Sequence, residues 1–155
     1  LKPESVKTIS IQDWQMAEVL SGISMVQSQT SEAFVPQMLN YESVEGVSFK
    51  KGCYPGQEVV ARSQFRGTLK RRAFIVSCNE PMQVGQEVFS SDDAEQACGM
   101  ISSAAKLEIE GSQQAQWWGI ASLQLSAIQA PLQLGQAGGP AMQPYALPYP
   151  LLEDI

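Results

Sequence analysis

The sequence predicts an α+β protein in which a short helical and loop segment precedes a small antiparallel β-structure. The first observation is an apolar stripe at helical spacing, which comprises Met16, Val19, Leu20 and Ile23. The second is a series of short runs after residue 67 that alternate with period two and are separated by turn residues. Short strands at this spacing are typical of a small closed barrel or of a sandwich, and the residues alone leave both architectures open.

The predicted helix has a start signal and a stop signal. Ser10 and Asp13 have the spacing of a capping box, and Gly22 suits the left-handed residue that ends a helix. Trp14 falls on the side opposite the apolar stripe, at 100° per residue. A large aromatic residue off the core face either packs against another domain or contacts a ligand. The residues alone favour packing against another domain.

The segment after this helix predicts a loop. Residues 24–48 lack sustained periodicity, with one short element around 34–39. Pro36 is unsuited to a central strand or to a helix interior. Gln37 and Asn40 are therefore predicted to hydrogen-bond backbone groups and to have a structural role.

Period-two alternation and turn signals place the strands. The predicted strands cover residues 69–76, 86–90, 98–105 and 116–125. In the last of these, Trp117 and Trp118 begin two sets of alternating residues that face opposite sides. Residues 136–143 predict a loop or a weak edge, and residues 145–152 a last strand. Cys78 and Cys98 lie in or beside strands and are predicted to be core residues.

Composition and cysteine usage bound the class of protein. The chain of 155 residues is 44% hydrophobic and 17% charged, which is ordinary for a globular domain. No apolar run reaches the length of a spanning helix, so neither a membrane segment nor a signal peptide is expected. Histidine is absent and the three cysteines lack metal-ligand spacing, which disfavours a metal site and His-based catalysis. Reduced thiols and a cytoplasmic location are expected.

A basic segment stands out from an otherwise acidic chain. Residues 50–72 hold seven of the ten Lys and Arg but only one of the sixteen Asp and Glu. Besides the lysines at its start, its predicted basic surface comprises Arg62, Arg66, Lys70, Arg71 and Arg72. A solvated face is the simplest interpretation of a charge run. Aromatic residues near the cations, such as Tyr54, also favour an RNA-binding interpretation.

A compact motif opens the basic segment. It runs Lys50-Lys51-Gly52-Cys53-Tyr54-Pro55-Gly56-Gln57-Glu58. Because Pro55 suits the first turn of a helix, the predicted helix begins at Tyr54-Pro55. Cys53 would then precede the helix N-terminus beside Lys51, where the dipole and the cation both lower a thiol pKa. Cys53 and Lys51 are therefore the candidate catalytic residues, and an inert buried cysteine is the alternative.

The motif Lys-Gly-Cys-Tyr-x-Gly-Gln-Glu resembles the signature of the YgfZ family. Residues 46–49 before the motif, residues 34–40 and residues 147–149 are also similar to family segments. The resemblance covers nearly the whole chain but only the C-terminal half of a family member. It implies that residues 1–66 are the C-terminal part of a T-protein-like, folate-binding domain. Residues 67–155 would form a small C-terminal β-barrel, and the N-terminal half of the same protein would be missing.

The resemblance also implies a function. Family members are folate-binding accessory proteins, related to the glycine-cleavage T-protein, that act in tRNA modification and in iron–sulfur enzyme maintenance. The implied ligand is tetrahydrofolate, contacted here by Trp14, and the implied partners are tRNA or iron–sulfur proteins. Cys53 would carry the family's essential activity.

Two alternatives to this function stay open. One is an aminomethyltransferase-like, folate-dependent enzyme. The other is a basic-surface module that binds RNA or protein without catalysis, and the same cations would also suit the polyglutamate tail of folate. A non-catalytic accessory protein is favoured over an enzyme.

Overall fold

The computed structural model describes residues 7–52, 54–65, 69–108 and 115–152, with the backbone alone for 63–65. Its two helices are α1 (Ile11–Leu20) and α2 (Glu58–Phe65). Its strands are β1 (Arg71–Cys78), β2 (Glu87–Ser90), β3 (Asp93–Leu107), β4 (Gln116–Gln124), β5 (Leu132–Leu134) and β6 (Ala141–Tyr145). Short 3₁₀ turns span Ser28–Thr30, Pro36–Leu39 and Leu125–Ala127.

The six strands form a closed antiparallel barrel in the order β1-β4-β3-β2-β5-β6. The barrel closes where β6 pairs with β1, with Tyr145 opposite Ile75. Closure satisfies the backbone groups that an open sheet would leave unpaired at its edges. The predicted α+β fold with a small antiparallel barrel is confirmed. The predicted domain boundary between residues 66 and 67 falls outside the described residues and stays a prediction.

Alternate residues of the strands face opposite sides of the barrel wall. The interior core takes apolar side chains from all six strands, including Val76, Leu123 and Met142. Residues of the opposite parity, such as Ile75 and Ile120, form a second core on the outside of the barrel. The two predicted faces of β4 are therefore confirmed.

Both described cysteines belong to the barrel interior. Cys78 is 3% exposed and Cys98 is 4% exposed, which confirms their prediction as core residues. Burial raises the pKa of the Cys98 thiol, so Cys98 stays protonated at neutral pH. A protonated thiol is a poor nucleophile.

A register shift divides β3 into two parts. The shift lies between Ile101 and Ser103 in the pairing with β4. Ile101 faces the interior core, whereas Ala105 faces the outer core although it lies an even number of residues further on. One extra residue in a strand reverses the side on which later residues lie. Thus β3 supplies both cores.

Helix α1 packs on the outer face of the barrel. Its predicted capping box is confirmed: Asp13 N donates to Ser10 Oγ (3.0 Å) and Ser10 N donates to Asp13 Oδ2 (3.2 Å). Gly22 follows the helix with φ +68°, as predicted for a stop. Of the predicted apolar stripe, Val19 is 1% exposed. No helix within the described ranges is long and apolar enough to cross a membrane.

Part of the predicted stripe is wrong. Met16 is partly buried against the outer core, but Leu20 and Ile23 are 48% and 39% exposed. The helix makes its strand contacts on β3 and β4, and that contact is too narrow to cover a full apolar face.

Several predicted strand bounds need correction. Strand β3 begins at Asp93 rather than at residue 98. The sequence did not reveal this earlier start, because the first residues of the strand are exposed on both sides and show no alternation. Strand β5 was not predicted, and β6 begins within the stretch 136–143 predicted as a loop or weak edge and ends at Tyr145, the first residue of the predicted last strand. Beyond Tyr145, residues 146–152 form no strand. Pro148 and Pro150 lack the N–H that a ladder needs.

The C-terminal strap, residues 147–152, is held by side-chain contacts instead. Leu147 packs on the outer core, and Tyr149 Oη donates to Gly22 O (2.7 Å). Leu152 N donates to Ser43 Oγ (3.1 Å). The strap therefore ties the segments before the motif to the barrel.

Candidate functional site

Two buried amides position the segment that precedes the motif. Gln37 Nε2 donates to Val60 O in α2 (2.7 Å). Asn40 Nδ2 donates to Ala73 O (2.8 Å), and Ala73 N donates to Asn40 Oδ1 (3.1 Å). The predicted structural role of both residues is confirmed, since each satisfies backbone groups of another element. Residues 36–40 are thereby fixed between α2 and β1.

The motif itself forms a tight turn. Gln57 N donates to Tyr54 O (3.1 Å), and Gln57 Oε1 accepts from Tyr54 N (3.1 Å). Pro55 and Gly56 occupy the two central positions, and Gly56 has φ +92°. Proline followed by a positive-φ glycine is the signature of a type II turn.

This turn corrects the predicted start of α2. The helix begins at Glu58 rather than at Tyr54-Pro55, because the positive φ of Gly56 is incompatible with a right-handed helix. Glu58 lies in the first turn of this helix. The prediction of a lowered Cys53 pKa assumed a helix start at Tyr54-Pro55, and that premise is wrong.

Cys53, Arg66 and Gly67 lie outside the described residues. Lys51 is exposed, and its Nζ lies 3.5 Å from Gln57 Oε1. A Cβ added at Gly52 would have no atom within 4 Å, so the backbone before Cys53 is open to solvent. The candidate catalytic roles of Cys53 and Lys51 stay predictions.

The predicted basic surface divides into exposed and buried cations. Arg62 and Lys70 are exposed, as are Lys50 and Lys51 of the motif. Arg71 is half-buried, and its Nη1 donates to the carbonyl oxygen of residue 98 (3.2 Å). The exposed part of the predicted surface therefore lies mainly on the motif and α2.

The prediction that Arg72 belongs to an exposed basic surface is wrong. Arg72 is 4% exposed and forms a buried ion pair with Glu42, and its Nη2 donates to Leu152 O (2.8 Å). Ser43 Oγ donates to Glu42 Oε1 (3.1 Å). Arg72 thus joins β1, the loop before the motif and the C-terminal strap. A local charge run does not reveal this role, because the partner is 30 residues away in sequence.

A cavity of about 230 Å³ lies beside the motif. Its apolar walls are Pro36, Val47, Phe49, Val60 and Ala61. Lys51 and Gln57 also line it and place an amine and an amide at a mainly apolar site, to which Ser48 adds a hydroxyl. Sequence reasoning did not identify this cavity, because its walls come from the 3₁₀ turn, the loop before the motif and α2.

Trp14 lies on the exposed side of α1 and is 55% exposed. It is one of seven exposed large apolar residues between positions 9 and 26, which are Ile9, Ile11, Trp14, Leu20, Ile23, Met25 and Val26. Trp14 does not line the cavity beside the motif.

The described residues fit tetrahydrofolate only in part. Pockets for drug-sized ligands have volumes of about 300–1,000 Å³, and the cavity beside the motif is smaller. Trp14 offers an aromatic face for a ring system but stands apart from that cavity. The exposed face of Trp14 and the cavity beside the motif are therefore two separate features, and neither alone encloses a ligand of this size.

No protein-family model matches the chain. The chain is 38% identical over 99 residues to an uncharacterized protein of Haemophilus influenzae, which covers 61% of the chain and 35% of that protein. It is 41% identical over 86 residues to the tRNA-modifying protein YgfZ of Photobacterium profundum, with 56% of the chain and 25% of the relative covered. The tRNA-modifying protein YgfZ of Colwellia psychrerythraea is 39% identical over 89 residues, with 57% and 26% covered.

By its fold, the chain is a closed antiparallel barrel preceded by a helical segment, and this segment carries the Gly-Cys-Tyr-Pro-Gly motif. Two YgfZ proteins match at about 40% identity over more than half of the chain, and these matches support the resemblance to the C-terminal part of a YgfZ family member. The chain spans about a quarter to a third of the length of these relatives.

Proposed function

We propose that this chain supplies an RNA-binding surface to a protein with a role in tRNA modification. The names of two relatives support the role. The observation that carries the proposal is the grouping of exposed cations with an exposed aromatic residue on the motif and α2. Lys50, Lys51 and Arg62 are exposed, and Tyr54 is 78% exposed. Cations for phosphates and aromatic faces for bases are the features that bind single-stranded RNA.

The charges of this surface are available to a ligand. Within the described ranges, ion pairs join only Arg72 to Glu42 and Lys106 to Glu108. Lys50, Lys51 and Arg62 therefore have no acidic partner there. The chain has a net charge of −6. The group of unpaired cations therefore attracts a polyanion to this face, while the acidic remainder of the chain repels it.

The double variant Lys50→Gln/Lys51→Gln is expected to bind unmodified tRNA at least about tenfold more weakly, since each hydrogen bond to a charged group contributes about 1.5 kcal/mol or more. The measurement is fluorescence anisotropy with labelled tRNA at fixed salt. Lys7→Gln/Lys106→Gln is the matched control, because it removes the same charge from outside the motif. Equal weakening by both double variants would refute a specific role of the motif.

Tetrahydrofolate belongs to the proposal through Trp14. The exposed indole would stack on the ring system of the ligand. Because one aromatic face does not make a pocket, this chain alone is expected to bind tetrahydrofolate weakly. Titration of the chain and of Trp14→Ala, followed by calorimetry, checks this. Tight binding that survives Trp14→Ala would exclude Trp14 as the contact.

Iron–sulfur enzyme maintenance, with Cys53 as the functional thiol, is the other part of the proposal. Its support is the Lys-Gly-Cys-Tyr motif and the open backbone at Gly52. An aminomethyltransferase-like enzyme is the alternative, and no feature of the described residues favours it over the accessory role.

A further inference from the structure

We propose that the cavity beside the motif binds a single nucleobase of RNA and that Lys51 contacts the phosphate attached to that nucleotide. This inference rests on the proposed RNA-binding function and assigns it a specific subsite. The size of the cavity is the first argument. At about 230 Å³ it is below the range for drug-sized ligands, which leaves room for one base-sized ring system.

The walls of the cavity suit the face of a base. Val47, Val60 and Ala61 make an apolar surface, and Phe49 adds an aromatic ring. Proteins that recognise RNA splay single bases out of the stack and place them against such side chains. A base that leaves water for this cavity buries its face against carbon atoms.

Two polar groups of the cavity match the polar parts of a nucleotide. Gln57 Oε1 accepts from Tyr54 N and lies 3.5 Å from Lys51 Nζ. Gln57 Nε2 has no partner in the described part of the chain and can donate to an acceptor on a base edge. Lys51 lines the same cavity, but the residue is exposed and its amine reaches solvent, where a phosphate would lie. One donor inside and one cation at the rim fit a base with a phosphate.

The surroundings favour RNA over other anionic ring compounds. Lys50 of the motif and Arg62 of α2 are exposed and add positive charge. Tyr54, the first residue of the motif turn, is also exposed. A free mononucleotide would use the cavity and Lys51 alone. A chain of nucleotides would also use the neighbouring cations and the tyrosine ring.

The test compares mixed-sequence single-stranded RNA with abasic RNA of the same length, which carries the same charge but no bases. The wild-type chain is expected to prefer the RNA with bases, and Ala61→Leu is expected to reduce that preference about tenfold because it fills the cavity. Val59→Leu is the matched control: Val59 is 59% exposed on the same helix and does not line the cavity. A preference that Ala61→Leu leaves intact would overturn the proposal.

A second variant covers the case in which Ala61→Leu fails to fold. Ser48 lines the cavity and is exposed, so Ser48→Phe fills the cavity from its rim and is expected to reduce the preference in the same way. Uridine 5′-monophosphate and adenosine 5′-monophosphate serve as competitors. Competition as strong as that of the RNA would overturn the assignment to RNA in favour of free nucleotides.

Failure of this inference is distinct from failure of the proposed function. If Lys50→Gln/Lys51→Gln weakens tRNA binding while the cavity variants leave the base preference unchanged, only the nucleobase subsite is wrong. If the lysine variant leaves tRNA binding unchanged, the RNA-binding surface itself is wrong.

Discussion

Replacing Arg72 with Met is expected to lower the free energy of unfolding by about 3–5 kcal/mol, because the substitution leaves the buried Glu42 carboxylate without its charge partner. Both side chains are almost fully buried, at 5% and 1% exposure. Glu42 Oε2 already has no hydrogen-bond partner among the described residues, so little remains to compensate the charge. The variant also removes the hydrogen bond to Leu152 O and should loosen the C-terminal strap.

Urea unfolding of matched variants measures this effect. Arg62→Met is the control, because Arg62 is an exposed arginine of the same basic segment and its loss is expected to change stability by no more than about 0.5 kcal/mol. The double variant Glu42→Leu/Arg72→Met removes both charges and is expected to recover much of the loss. If Arg72→Met is no less stable than Arg62→Met, the buried ion pair does not hold the strap and the loop to the barrel.

Asn40→Ala is expected to lower the free energy of unfolding by about 3–8 kcal/mol, because two terms add. Two backbone groups of Ala73 lose their partner, and each buried unsatisfied group costs about 1–3 kcal/mol. Asn40 also has φ +60°, a conformation that costs an alanine about 1–2 kcal/mol.

Two further variants separate these terms. Asn40→Gly tolerates the positive φ and should be more stable than Asn40→Ala, by the backbone term alone. Asn79→Ala is the control, since Asn79 is exposed and makes no hydrogen bond recorded in the described part of the chain. Chemical denaturation of the three variants checks the order. An Asn40→Ala variant as stable as Asn79→Ala would contradict the role of Asn40 in joining the loop to β1.

Local signals predicted the barrel well. The alternation in β1 and β4 was readable because one face of each strand meets the interior core and the other contributes to the outer core. The capping box at Ser10 and the stop at Gly22 were readable because both depend on residues within one turn. Strand β5 was missed because three residues are too few to show a period.

The parts of the site that were missed depend on contacts between distant residues. Arg72 belongs to a charge run in sequence, but its environment is set by Glu42 and the strap. The start of α2 was misplaced because Pro55 suits a turn as well as a helix, and the positive φ of Gly56 decides between them. The cavity beside the motif needs three segments to meet, and no local pattern in any of them predicts it.

The salt dependence of tRNA binding tests the central claim, that the motif lysines neutralise RNA phosphates, most directly. Each single-stranded phosphate neutralised contributes about −0.7 to the slope of log affinity against log salt. Lys50→Gln/Lys51→Gln is therefore expected to make the slope shallower by about 1.4, whereas Lys7→Gln/Lys106→Gln should leave it unchanged. A slope equal to that of the wild-type chain in the motif variant would contradict the claim.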